Sequence, residues 1–274
     1  MNAVESGYVE VPGARLWYDV RGEGPAVLFT HAGIADHRMW GPQLEPFVAA
    51  GHRVVRWDIR TFGLTTSDAT PFSTRADLLA ILDHLGLERA AFVGCSMGGG
   101  VTLSFAIEHP ERVGALVLIA PGVAGFDAEP TPVERAAFDE GEAAYQAKDW
   151  AAAADVDVRI WVDGVGQGPE RVDPRVRELV RTMCLDTYRL DFPDAEHLGL
   201  QPPAAERLDS VRAPTLLLLG ELDVSGCAAA IGFLAAGIEG SRRVDFPNAT
   251  HLPNLEQPEA FNRVVLEFLA ERGL

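Results

Sequence analysis

Short apolar runs separated by turn residues dominate the chain. Ala26–Thr30, Arg53–Trp57, Ala91–Val93, Ala115–Ile119 and Thr215–Leu219 are mostly hydrophobic along their length. A strand with no polar face needs cover on both sides, the condition of a parallel sheet between two helical layers. Helix-like segments lie among these runs, for example Asp77–Leu85, Met97–Ile107 and Pro258–Leu269. Strands alternating with helices imply βα units joined by right-handed crossovers. The opening segments Tyr8–Val11 and Ala14–Val20 instead alternate about Pro12-Gly13, which predicts a hairpin.

The rhythm breaks between about Val123 and Ala205. This stretch is rich in Ala, Asp and Arg, and its one strand-like run is Asp157–Trp161. It is read as several inserted helices, with the β-pattern resuming at Pro214. The expected fold is α/β, with a mostly parallel central sheet flanked by helices. Residues 1–122 and 206–274 would form the core domain, and 123–205 a helical cap inserted before the last strands. Ligands of α/β sheets bind at the carboxyl ends of the strands, where such an insertion sits. A lid is its natural role and a dimerisation element the alternative; no oligomer is indicated.

Charge narrows the partners. Against 40 acidic residues stand 23 basic ones, a net charge of −17. That field repels phosphate backbones and anionic bilayers, so neither nucleic acid nor membrane is an expected partner. Ala90–Ile107 holds no charged residue, but Gly94, Gly98, Gly99 and Gly100 interrupt it. It reads as strand, turn and buried helix rather than a membrane span. The only lysine, Lys148, lies outside any Gly-Lys-Ser/Thr sequence, which excludes a P-loop. Three widely spaced cysteines fit a reducing compartment. The first residues lack the basic and apolar regions of a signal peptide, so a cytoplasmic location is expected. The seven histidines show no metal-ligand spacing, and no metal or cofactor is expected.

The strongest chemical signal is Gly94-Cys95-Ser96-Met97-Gly98, placed after a strand and before a helix. A nucleophilic serine needs a sharp turn that lifts its hydroxyl above the sheet, and side chains at 94 and 98 would collide with the flanking elements. The hydroxyl also needs a base oriented by a carboxylate. Asp223 follows the run Thr215–Gly220, and His251 follows the strand-like Arg242–Pro247. Both then share a sheet edge with Ser96. The oxyanion would take one backbone N–H from Met97, whose helix start adds a positive dipole end, and one from Gly33. His31 is read as a loop-ordering residue. Cys95 is not the nucleophile, because the turn exposes only its central residue. Phe126, Trp150, Trp161, Met183 and Tyr188 have two readings, the lining of a pocket under the cap or packing contacts between its helices; the second is preferred and they are left out of the site.

His31-Ala-Gly, Asp58-Ile-Arg-Thr-Phe-Gly63, Gly94-Cys-Ser-Met-Gly98, Gly220-Glu-Leu-Asp223 and Ala249-Thr-His251 together resemble the α/β-hydrolase superfamily across the chain. The resemblance implies a serine hydrolase with a Ser96–His251–Asp223 triad, acting on small carboxylic esters or lactones through an acyl-enzyme; some members of that family place the acid after the earlier strand, which makes Asp127 the fallback acid. Two positions depart from the family pattern. Ala32 stands where His-Gly is usual, and Thr61 replaces the first Gly of Asp-x-Arg-Gly-x-Gly. Ser96 argues against haloalkane dehalogenases of this fold, which carry Asp at that position. The run His251–Phe261 is similar to that of enol-lactonases. Carbon–carbon hydrolysis of diketone ring-cleavage products uses the same triad and is the nearest alternative. Perhydrolysis and a ligand-sensing receptor on this fold are the others.

Overall fold

The computed structural model describes residues 5–190 and 192–274. Strands β1 (Glu5–Val11) and β2 (Ala14–Arg21) form the predicted antiparallel hairpin, with Val11 opposite Ala14. Gly13 turns it at φ +75°, where a Cβ would stand 2.5 Å from the Thr70 side chain. β2 then runs antiparallel to β4 (Arg53–Trp57) and to the two-residue β5 (Thr66–Ser67). The remaining pairings are parallel. They join β4, β3 (Ala26–Thr30), β6 (Ala90–Cys95), β7 (Val113–Ile119), β8 (Thr215–Gly220) and β9 (Arg242–Phe246) in that order. The order is β1-β2-β4-β3-β6-β7-β8-β9, with β5 beside β2.

This order reverses between β3 and β6. From β3 the chain steps outward to β4, then returns to place β6 on the other side of β3. In open α/β sheets such a reversal marks the place where ligands bind, at the carboxyl ends of the strands.

Continuous apolar strands arise because alternate side chains feed two different cores. Leu28, Phe92, Leu116 and Leu118 pack with α2 (Thr74–His84), α3 (Met97–Glu108) and α7 (Ser225–Gly237). Phe29, Val93, Val117 and Ile119 pack with α1 (Gly41–Ala49) and α9 (Pro258–Ala270), which follows the short α8 (Pro253–Glu256). Each fully buried side chain of this kind contributes about 1.5–3 kcal/mol.

Between β7 and β8 lie α4 (Pro132–Gln146), α5 (Trp150–Val158) and α6 (Pro174–Tyr188). The strand-like run Asp157–Trp161 is not a strand. It ends α5 and enters a π-helical stretch, Arg159–Gly164. Its branched residues would suit a sheet, but Val158 and Val162 are claimed by the second core and Ile160 by a small cluster with Val156 and Val224. Tertiary packing thus overrides the local preference. Among the described residues no helix is long and apolar enough to cross a membrane; Ala90–Ile107 forms β6, a turn and most of α3.

Candidate active site

Ser96 occupies the one-residue turn between β6 and α3, at φ 53° and ψ −116°. A non-glycine residue holds such angles only when its surroundings force them. Here the Ser96 N–H donates to the Ile119 carbonyl at 2.8 Å, and the Ser96 carbonyl accepts from Gly100 and Gly122, each at 3.0 Å. The flanking glycines are steric requirements. A Cβ on Gly94 would meet the Gly98 carbonyl at 2.5 Å, and one on Gly98 would meet the Thr30 and His31 carbonyls at 2.4 Å. Met97 is the first residue of α3, so its N–H has no acceptor one turn back. Gly33 lies beside it: a Cβ built there would be 3.8 Å from Met97 Cβ.

Asp223 leaves the end of β8 and His251 the loop after β9. Close approach of the two loops depends on Gly220, where a Cβ would sit 2.0 Å from the Thr250 carbonyl. The His251 ring nitrogen Nδ1 is 2.8 Å from Asp223 Oδ2, with both side chains buried. The other carboxylate oxygen accepts the Val224 N–H at 2.8 Å. A carboxylate at Nδ1 selects the tautomer whose Nε2 carries the free lone pair. The Ser96 hydroxyl and His251 line one cavity of about 290 Å³, without a hydrogen bond between them among the described residues. Its wall also includes Gly122, Phe126, Phe138, Trp161, Cys227 and Ala230.

A family model described as the alpha/beta hydrolase fold matches residues 25–258. The chain belongs to the α/β hydrolases. It is 33% identical over 267 residues to a Pseudomonas putida protein named 2-hydroxy-6-oxononadienedioate/2-hydroxy-6-oxononatrienedioate hydrolase 2, covering 93% of this chain and 91% of that one. It is 29% identical over 271 residues to the Comamonas testosteroni 2-hydroxy-6-oxo-6-phenylhexa-2,4-dienoate hydrolase, covering 94% and 92%. Among solved structures, the enol-lactonase of Burkholderia xenovorans LB400 superposes with a TM-score of 0.76 at 25% identity, over 96% of this chain and 99% of that one.

Both departures from the α/β-hydrolase pattern are accommodated in the fold. Ala32 is fully buried, and its N–H points at the Met39 sulfur, 3.3 Å away. Thr61 adopts φ 68°, a left-handed turn that costs a branched residue about 1–2 kcal/mol relative to glycine. His31 is buried with both ring nitrogens engaged: Nδ1 lies 2.9 Å from the Ala32 carbonyl and Nε2 accepts the Ile59 N–H at 3.0 Å. Burial pushes its pKa down, more than the nearby Asp58 charge pushes it up. It orders the loop as a neutral ring. Asp127 is exposed at the cavity wall, while Asp223 holds the imidazole.

Cys95 is buried, and its thiol faces the His251 carbonyl at 3.6 Å. Cys227 is a neighbour that sequence reasoning missed, with Sγ 3.7 Å from His251 Nδ1. Burial, and then the Asp223 charge, push both thiols well above their ordinary pKa, so both stay protonated. Two clusters bring three potential metal-ligand atoms within 4.8 Å, Asp223–Cys227–His251 and Asp36–His37–Asp58. The first offers a protonated thiol. In the second, Arg38 binds Asp36, and Asp58 accepts from His37 and from the Leu64 N–H.

Phe126 and Trp161, left out of the site on sequence, line the cavity and also pack on neighbours, Phe126 on Phe233 and Trp161 on Phe138; Met183 is fully buried. Glu134 was also missed as a wall residue. Its place was readable in part from Thr131-Pro-Val-Glu134, a capping-box sequence that the structure forms. The same carboxylate accepts from the Ser225 N–H and hydroxyl at 2.6 and 2.5 Å, tying α4 to the start of α7. Burial works to raise the Glu134 pKa, but the hydrogen bonds from Ser225 and Thr131 outweigh it and lower it to about 2. A carboxylate with a lowered folded pKa stabilises fully above its unfolded value of 4.5, and that contribution is lost as pH falls toward about 2. Glu134→Gln is therefore expected to cost about 2 kcal/mol at pH 7. It should also flatten the loss of stability between pH 5 and 2.5, measured as guanidinium midpoints across that range. A variant whose curve parallels the parent's would show that another group controls this window.

Proposed function

We propose that this α/β hydrolase cleaves small, uncharged carboxylic esters or lactones through an acyl-enzyme on Ser96. The observation that carries the reading is the Asp223–His251 pair, buried and joined at 2.8 Å, in the same small cavity as a serine held on a strained turn. In this reading Ser96 Oγ attacks the carbonyl carbon while His251 Nε2 takes its proton. Such bonds often close only when substrate is bound. The N–H groups of Met97 and Gly33 hold the oxyanion, the protonated imidazole gives its proton to the leaving alkoxide, and water then releases the acid. Asp223 keeps the imidazole in its tautomer and supports its positive form.

The dienoate hydrolases among the relatives give carbon–carbon hydrolysis real weight as a second reading. The cavity favours esters and lactones over it. Those relatives are named for carboxylate-bearing substrates. Among the described residues no Arg or Lys lines the cavity, and two acids do, Asp127 and Glu134. Like charges roughly 8 Å apart at an effective dielectric of about 20 repel by about 2 kcal/mol, roughly thirtyfold in binding. A volume near 290 Å³ also suits short acyl groups. The expected result is a kcat/KM for p-nitrophenyl acetate or a γ-lactone at least about thirtyfold above that for 2-hydroxy-6-oxo-6-phenylhexa-2,4-dienoate, followed by release of nitrophenol or acid and by loss of the dienoate absorbance. The reverse ranking would make the chain a carbon–carbon hydrolase.

A further inference from the structure

Trp161 belongs to the π-helical stretch Arg159–Gly164, a rare backbone form that recurs at functional sites. Its indole is tilted against the His251 ring, with centroids 4.5 Å apart and planes inclined by 47°. Phe138 of α4 stacks on the same indole at 5.9 Å. This placement is fixed from the His251 loop. Thr250 Oγ1 lies 3.0 Å from both the Trp161 and Val162 carbonyl oxygens. Arg171 donates to the carbonyls of Val162, Asp163 and Asn248 and to the Glu256 carboxylate, which also accepts the Thr250 N–H at 2.8 Å. On the helical side, Asp157 accepts from the Tyr188 hydroxyl. The turn that carries the indole is thus bolted to the loop that carries the base.

We propose that Trp161 is a positioning residue for His251, its indole face orienting the imidazole and stabilising the imidazolium formed when the serine proton is taken up. The inference rests on the reading of His251 as general base. In that step the proton passes from Ser96 Oγ to His251 Nε2, and the electron pair left on Oγ forms the bond to the carbonyl carbon. A cation within about 6 Å of a tryptophan face is attracted by the ring quadrupole, and a neutral imidazole much less. The contact is therefore stronger in the transition state than before it, the only kind of contact that speeds the chemical step. Other titratable groups share the surroundings of the ring. They are Asp223 from the β8 loop, Cys227 from α7, the Cys95 thiol from β6, Asp127 and Glu134 around the cavity, and Asp157 behind the indole.

The test compares Trp161→Leu and Trp161→Phe with the parent on p-nitrophenyl acetate. Leucine is expected to lower kcat roughly tenfold with a smaller change in KM. It should also move the acid limb of the kcat/KM profile to lower pH, because the charged ring loses a partner. Phenylalanine should restore most of both. Fluorescence supplies a readout without turnover. In Ser96→Ala, indole emission should fall as His251 gains its proton, and this step should vanish in Ser96→Ala/Trp161→Phe. Trp17, 4.0 Å from His37, contributes equally to both proteins. A leucine variant with kcat within twofold of the parent and an unmoved acid limb would overturn the inference, as would identical fluorescence titrations. If the leucine variant fails to fold, the phenylalanine pair and the titration decide. Full activity in Ser96→Ala would sink the underlying triad instead, so the two failures are distinguishable.

Discussion

Replacing Ser96 by Ala should lower kcat on p-nitrophenyl acetate by about 10³ to 10⁶ while leaving the fold intact. The size of the drop follows from what the hydroxyl supplies. In the proposed mechanism, loss of Oγ leaves no atom for the acyl group to join, and water must attack directly. Binding in the cavity and the N–H groups of Met97 and Gly33 would then account for whatever catalysis is left. Stability should barely change, because alanine keeps the same Cβ at the same positive φ and the turn is held by backbone bonds to Ile119, Gly100 and Gly122. Ser96→Gly is the informative companion. It should be equally inactive yet more stable by about 1 kcal/mol, since glycine accepts φ 53° without strain. Activity on the ester and chemical denaturation of the three proteins separate chemistry from folding. An alanine variant as active as the parent would remove Ser96 from the mechanism.

The parts of this site legible in the sequence are those fixed by local geometry. Gly94 and Gly98 announce Ser96 because neighbouring backbone leaves no room for a side chain there. Asp223 and His251 were legible because each follows a strand, and parallel strands end on one edge. The contacts that were not legible depend on packing between distant segments. Trp161 reaches His251 across 90 positions through a π-helical turn that residue preferences do not encode, and its surroundings read locally as a strand. Helix α1 carries Pro46 in its interior, which hides it from a helix pattern. Helix α7, rich in Ala and Gly, presents no polar stripe to mark its period. Glu134 shows the boundary between the two classes: its cap with Thr131 is written in four consecutive residues, but its bond to Ser225 spans 91. The spacing of the backbone at Gly33 likewise emerges only once β3 and β6 stand side by side.

Asp223→Asn should cost roughly 10⁴ in kcat, without a comparable loss of stability. The side chain is nearly isosteric, and the carbonyl oxygen of asparagine can still accept the Val224 N–H that Oδ1 accepts now. What changes is the group facing the imidazole. With that carbonyl used by Val224, the amide NH₂ points at His251 Nδ1, the atom that now lies 2.8 Å from a carboxylate. Two donors cannot face each other, so the imidazole must place its proton on Nε2 and present Nδ1 as an acceptor. The nitrogen that receives the serine proton in the proposed mechanism is then occupied, and the positive ring has lost its counter-charge. Asp127→Asn provides the contrast. Its carboxylate is exposed at the cavity wall, so losing one charge there should change kcat at most a few-fold. Single-turnover measurements on both variants would separate the roles, because the tautomer effect slows acyl transfer itself and a wall charge acts on binding. A fully active Asp223→Asn beside a crippled Asp127→Asn would transfer the role of acid from the loop after β8 to the loop after β7.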